Sequence, residues 1–206
     1  MQLNDLSQSD LSIVCKLFGS LFYYQPKEYE QLPIGAYFSH DDVTTPIDEI
    51  NQILNAFKYA DQGALQVEHE QLFTMQEMMP APPWSSMYLD RESIVFGKAN
   101  NDYSEFVEHC GLSLREGASD PEDHIGLMLI VLGMLIDDKQ DQHAKEMIGE
   151  YLATWSGFYF SRLKEVTEEE SPYSKLADYT ASLLEVLRKQ YSVQVLIKNN
   201  FFQPPH

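Results

Sequence analysis

Apolar positions in this chain recur at helical spacing almost from end to end. Leu11, Val14, Phe18, Leu21 and Phe22 fall on one face of a first helix, with Ser9-Asp10 placed to cap it and Pro26 to end it. A short helix at 27–31 and a loop through Pro33, Ile34 and Gly35 follow, then a polar, turn-forming segment at 40–46. Pro46 opens a second stripe, with Ile47, Ile50, Ile53, Leu54 and Phe57 on one side. Beyond Gly63 a helix is predicted over 64–79, with Leu65, His69, Leu72 and Phe73 facing inward.

The run Pro80-Ala81-Pro82-Pro83-Trp84 cannot continue that helix and favours extended backbone. Ile94-Val95-Phe96 carries the only strong β character, too short and isolated for a sheet. Asn100 or Asn101 can cap a helix through His109, which Gly111 would stop. A loop over 112–119 leads to the most apolar stretch of the chain, a central helix predicted over 121–136. In that helix Asp120 serves as N-cap, Pro121 takes the first position, and Glu122 and Asp123 face the positive end of the dipole. A stripe from Met147 to Tyr159, bent near Gly157, comes next. Glu168-Glu169-Glu170 reads as a solvated loop, and Ser171-Pro172 restarts a helix to about 190. The tail over 199–206 is expected to be frayed or loosely docked. The expectation is an all-α, single multi-helix domain spanning 1–206 around a buried central helix, with a loose division near 110–120.

Composition narrows the function. At 206 residues with 44% hydrophobic and 12% aromatic content, the chain supports one substantial core. Its 32 acidic against 14 basic residues give a formal charge of −18, which disfavours nucleic acid and suits a cationic partner or plain solubility. Cys15 and Cys110 form no CxxC pair or disulfide framework, which fits a reducing compartment. The opening residues lack a secretory signal, and the longest apolar run falls short of the roughly 20 residues that cross a bilayer. A cytoplasmic protein is expected.

Three polar constellations remain. Glu122-Asp123-His124 either caps the central helix or binds something, and His124 is not demanded by capping. Pro80–Trp84 with Tyr88 is either a rigid connector or a stiff aromatic wall suited to peptides. Glu68-His69-Glu70 is not HExxH, because residue 73 is Phe, and His109 and Cys110 have no second ligand pair at zinc spacing. No nucleophile motif or glycine-rich phosphate loop is present, so neither an enzyme nor a cofactor is expected.

Three blocks carry a family resemblance. They are Glu70-Gln71-Leu72-Phe73; the run from Pro80 through Trp84, Tyr88 and Asp90-Arg91-Glu92-Ser93 to Phe96-Gly97; and Asp120-Pro121-Glu122-Asp123-His124-Ile125-Gly126, an E-P-x-D-H-like signature with Asp120 replacing Glu. The chain resembles the TorD/DmsD family of redox-enzyme maturation chaperones. The opening helix, with Gly19, Leu21, Phe22, Tyr23 and Tyr24, and the late Pro172-Tyr173 helix also match in placement. The resemblance implies an all-helical cytoplasmic chaperone that binds the twin-arginine leader of a molybdopterin-containing reductase of the dimethyl sulfoxide or trimethylamine N-oxide type. It implies that export waits for cofactor insertion, after which the precursor passes to the twin-arginine translocase. It places the leader-binding region at Leu72, Phe73, Pro83, Trp84, Tyr88, Pro121, Asp123 and His124, with His69 and Glu122 beside them. His69, Glu77 and Tyr88 stand where relatives often carry tryptophan, which makes the groove less aromatic and more acidic. The leader arginines are expected to face Glu122, Asp123 or nearby acids. Monomer and domain-exchanged dimer are both compatible with the sequence. The rival is a metal-dependent hydrolase using Asp123 and His124, similar to HD-type phosphohydrolases only superficially because the doublet is reversed.

Overall fold

The apolar stretch that dominates the sequence forms helix α7, Ile125–Asp137, and most of it is buried, with Met134 and Asp137 exposed. The computed structural model describes residues 6–40, 44–74, 79–113 and 121–204. Helix α7 packs along its length against α1, Gln8–Tyr23, the most extensive helix pair in the fold. Small residues set that closeness. Gly19 and Gly126 meet where the two helices cross, and Ser12 Oγ donates to the Gly133 carbonyl at 2.8 Å. Ser7, not Ser9, caps α1, and Asp10 returns the favour as the third residue of a capping box.

Around this pair the chain places a 3-10 turn at Pro26–Gln31, then α2 (Gly35–Ser39), α3 (Asp48–Lys58), α4 (Gln62–Phe73), α5 (Ser85–Leu89) and α6 (Lys98–His109). After α7 come α8 (Asp141–Glu146), a π-wound turn at Met147–Leu152, α9 (Ser156–Val166) and α10 (Pro172–Gln190). Helix α10 lies against both α9 and α3. No strand occurs among the described residues, and the sole bridge there pairs Trp84 with His124. The all-α expectation is borne out. The loose division expected near 110–120 falls largely outside the described residues, as do Asp120 and Glu77.

Several local expectations are corrected. The central helix begins at Ile125 rather than 121, because the Trp84 pairing holds His124 in extended backbone (φ −69°, ψ 132°). Pro121, Glu122 and Asp123 therefore precede the helix, and His124 is the N-cap, its Nδ1 accepting from Gly126 N at 3.0 Å. Helix α6 starts at Lys98 with Gly97 as cap, before either asparagine, because Asp90 reaches across to accept from Ala99 N at 3.0 Å. The Met147–Tyr159 stripe breaks at 153–155, not at Gly157, which lies within α9. There Thr154 Oγ1 donates to the Tyr151 carbonyl at 2.9 Å and Trp155 is sealed in the core. The stretch after Trp84 begins as the one-turn helix α5, and Ser93 and Phe96 beyond it adopt positive φ.

Of the two alternatives expected for the segment following α10, the docked one holds as far as Phe202. Val193 is buried, Leu196 N donates to the Gly149 carbonyl at 3.2 Å, and Phe201 N donates to the Tyr88 carbonyl at 2.8 Å.

Candidate functional site

Two segments 40 residues apart in sequence are tied by main-chain bonds on both sides of one residue pair. Ile125 N donates to the Pro83 carbonyl at 2.8 Å and Ser85 N donates to the Asp123 carbonyl at 3.2 Å. Between those bonds the Trp84 and His124 rings meet edge to face, with centroids 5.9 Å apart. Phe73 comes within 6.1 Å of the same imidazole and Tyr23 within 5.3 Å. His69 lies against Phe73 at 4.8 Å, with its Nδ1 2.9 Å from the Tyr173 hydroxyl. Thus His69, Phe73, Trp84 and His124 converge, and their chain neighbours Leu72, Pro83 and Pro121 are also buried.

Tyr88 stands apart from that group. Its ring packs on Trp155 (5.5 Å), Tyr159 (6.2 Å) and Phe202 (5.0 Å), and is linked to Phe73 indirectly, through Tyr159 and Phe22.

The electrostatics are those of an interior. Burial drives His124 down to about 3, reinforced by His69, and drives His69 down to about 4, reinforced by Lys27. Both are neutral near pH 7. Asp123 is fully buried; burial raises its carboxyl while hydrogen bonds from Ser86 and Ser85 pull the other way. Its Oδ2 accepts from Ser86 N at 2.7 Å and Ser85 Oγ at 2.9 Å, and its N–H points to Asn100 Oδ1 at 3.4 Å. Glu122 is half-buried and is the acid of this segment with surface to offer. Asp123→Ala would leave the Ser86 amide and the Ser85 hydroxyl buried without an acceptor. The expected loss is about 1–3 kcal/mol of unfolding free energy, read by denaturant titration; an unchanged midpoint would contradict the buried-acceptor role.

Sequence reasoning chose Phe73, Trp84, Asp123 and His124 together, and they meet. It missed Tyr23, Asn100, Ser85 and Ser86 as their supports, and Trp155 and Tyr159 as those of Tyr88. The Ser85-Ser86 pair was a usable signal, because small donors beside a proline turn can satisfy a buried carboxylate. Elsewhere an open apolar groove of about 600 Å³ lies between α1, α3 and α7, walled in part by Ile13, Leu17, Ile34, Ile47 and Met134.

The family model described as nitrate reductase delta subunit matches residues 39–165. The chain belongs to that family. TorD and DmsD chaperones are its relatives: the Tat proofreading chaperone DmsD of Salmonella typhi is 27% identical over 155 residues, covering 73% of this chain and 76% of that one. The chaperone protein TorD of Shewanella sp. (strain MR-4) is 23% identical over 155 residues, covering 72% and 74%. Among solved structures, a protein assigned as a redox enzyme maturation protein from Archaeoglobus fulgidus superposes with a TM-score of 0.60 at 25% identity, over 87% of this chain and 94% of that one. The family resemblance seen in the sequence is borne out.

Proposed function

We propose that this chain is a cytoplasmic proofreading chaperone that binds the twin-arginine leader of a molybdopterin-containing reductase and releases the precursor to the translocase after cofactor insertion. The family supports a chaperone and not an enzyme, and no helix among the described residues is long and apolar enough to cross a membrane. The observation that carries the reading is the Trp84–His124 junction, which joins two of the segments that carry the family resemblance. A hydrolase reading has no cluster to build on: among the described residues no group of three or more His, Cys, Asp or Glu could hold a metal ion. Nδ1 of His124 and Oδ2 of Asp123 are engaged by the Gly126 amide and by Ser85 and Ser86.

Affinity must come mostly from apolar burial. Exposed ion pairs give about 0.2–1 kcal/mol each, ordering a flexible leader costs roughly 2–5 kcal/mol, and micromolar binding needs about 8 kcal/mol. The acids supply orientation and speed of encounter. Trp84 is itself buried against His124, so calorimetry with a leader peptide is expected to show that Trp84→Ala weakens binding by about 30-fold or more through loss of the junction that shapes the groove. Glu122→Gln should cost less than about fivefold. Thermal melts establish that each variant is folded, and the reverse ranking would sink the burial argument.

A further inference from the structure

The segment after α10 presents a cation and then a pair of aromatics, Lys198-Asn199-Asn200-Phe201-Phe202, and each is received by a matching surface. Lys198 is exposed and forms part of the wall of a pocket of about 310 Å³, which Asp90, Asp102 and Glu150 also line. Its Nζ donates to the Glu150 carbonyl at 3.1 Å, and Lys98 is held by Asp102 on the same wall. Partial burial lowers the Lys198 ammonium, with Asp102, Glu150 and Asp90 opposing that shift. Three residues on, Phe201 bonds the Tyr88 carbonyl through its amide, its carbonyl accepts from Ser93 Oγ at 3.2 Å, and Arg91 lies over its ring. Phe202 then covers the Tyr88 ring, which is completely buried while its hydroxyl finds no partner among the described residues.

A basic group followed by apolar side chains is also the chemical order of a twin-arginine leader. We propose that residues 195–204 are a built-in stand-in for the leader, with Lys198 holding the place of a leader arginine and Phe201-Phe202 that of its apolar segment. The proposal rests on the leader-binding reading above and adds to it a location and a competitor. The stand-in is built to lose. Leu196 is half exposed and Ile197 fully so, which leaves few apolar contacts to hold the segment down. A guanidinium is more weakly hydrated than an ammonium and can fork between two carboxylates, so an arginine outcompetes Lys198 in the same acidic pocket. Withdrawal of the segment uncovers one side of Tyr88, which the family resemblance places in the leader-binding region although it stands apart from the Trp84–His124 group.

The test compares the full chain with one ending at Gln194, which keeps buried Val193. The probes are a leader peptide, two arginines followed by an apolar stretch, and a synthetic peptide of residues 195–204. If the segment is docked nine-tenths of the time, the shortened chain binds leader about tenfold more tightly. The synthetic peptide is then expected to bind the shortened chain and to compete with leader. A full-length Lys198→Glu/Phe202→Ala variant, expected to show the same gain, keeps the test open should the shortened chain fail to fold. Equal leader affinity in full and shortened chains, or simultaneous binding of both peptides, overturns the proposal and moves the leader elsewhere, such as the α1–α3–α7 groove. Leader bound by neither chain would instead overturn the leader reading, while binding of the synthetic peptide would still establish the surface beneath the segment.

Discussion

Alanine in place of Gly126 is expected to destabilise the protein by about 3 kcal/mol or more, at or beyond the upper end of ordinary overpacking. A Cβ there would lie 2.6 Å from the Gly19 carbonyl oxygen and 2.8 Å from the Tyr23 Cβ. Neither is the far end of a flexible side chain. Relief requires α1 to move away from α7, which loosens the largest helix contact in the fold. Position 126 also supplies the amide that His124 caps, and Tyr23 is the residue whose ring meets that imidazole. The substitution should therefore disturb the Trp84–His124 junction as well as stability. Gly157→Ala is the control, because a Cβ there meets nothing within 4 Å and the position lies inside α9. It should stabilise by about 0.5–1 kcal/mol through helix propensity. Chemical denaturation of the two variants beside the parent gives both numbers; a Gly126→Ala midpoint matching the parent would refute the crossing argument.

The same two glycines mark where sequence reasoning reaches its limit. Pattern alone located α10, since Ser171-Pro172 is a local start signal and the leucines keep helical spacing to its end. It also placed the left-handed stop at Gly111, whose φ is 74°. The start of α7 was misplaced by four residues because the bond partners that hold His124 extended lie 40 positions upstream, at Pro83–Ser85. The α6 boundary failed for the same reason, since its first free amides are met by Asp90 and not by a neighbour. At the site, Phe73, Trp84 and His124, which the family blocks supply, lie close together, but their burial was not legible. Asp123 looks like surface charge in a run of acids, yet it is drawn inside because Ser85 and Ser86 supply donors there. The docked segment after α10 carries no periodicity at all, so only its partners, Tyr88 and Gly149, reveal it.

Those buried imidazoles set an expected acid sensitivity that is the second large effect. In the unfolded chain a histidine titrates near pH 6.5. In the folded protein burial holds His69 to about 4 and His124 to about 3. Between those limits the unfolded chain binds protons that the folded one refuses, so stability is fully present above about pH 6.5 and is lost as pH falls. Each histidine removes about 1.4 kcal/mol per pH unit in that window, and the two together about twice that until His69 itself protonates. Asp123 acts in the opposite sense, since a carboxyl raised by burial favours the folded state in acid. Asp137 and Glu170, lowered by Lys16 and Lys175, give up their contributions only below the ordinary carboxylate range. The loss of stability between about pH 6 and 4.5 therefore comes from the histidines, with Asp123 opposing it. His69→Phe retains the ring against Phe73, and Tyr173 keeps Tyr29 as a hydrogen-bonding neighbour. That variant should roughly halve the slope without changing its sign. Guanidinium unfolding at half-unit pH steps measures it, and stability that stays level from pH 7 to 5 would mean that His69 and His124 accept protons without leaving the core.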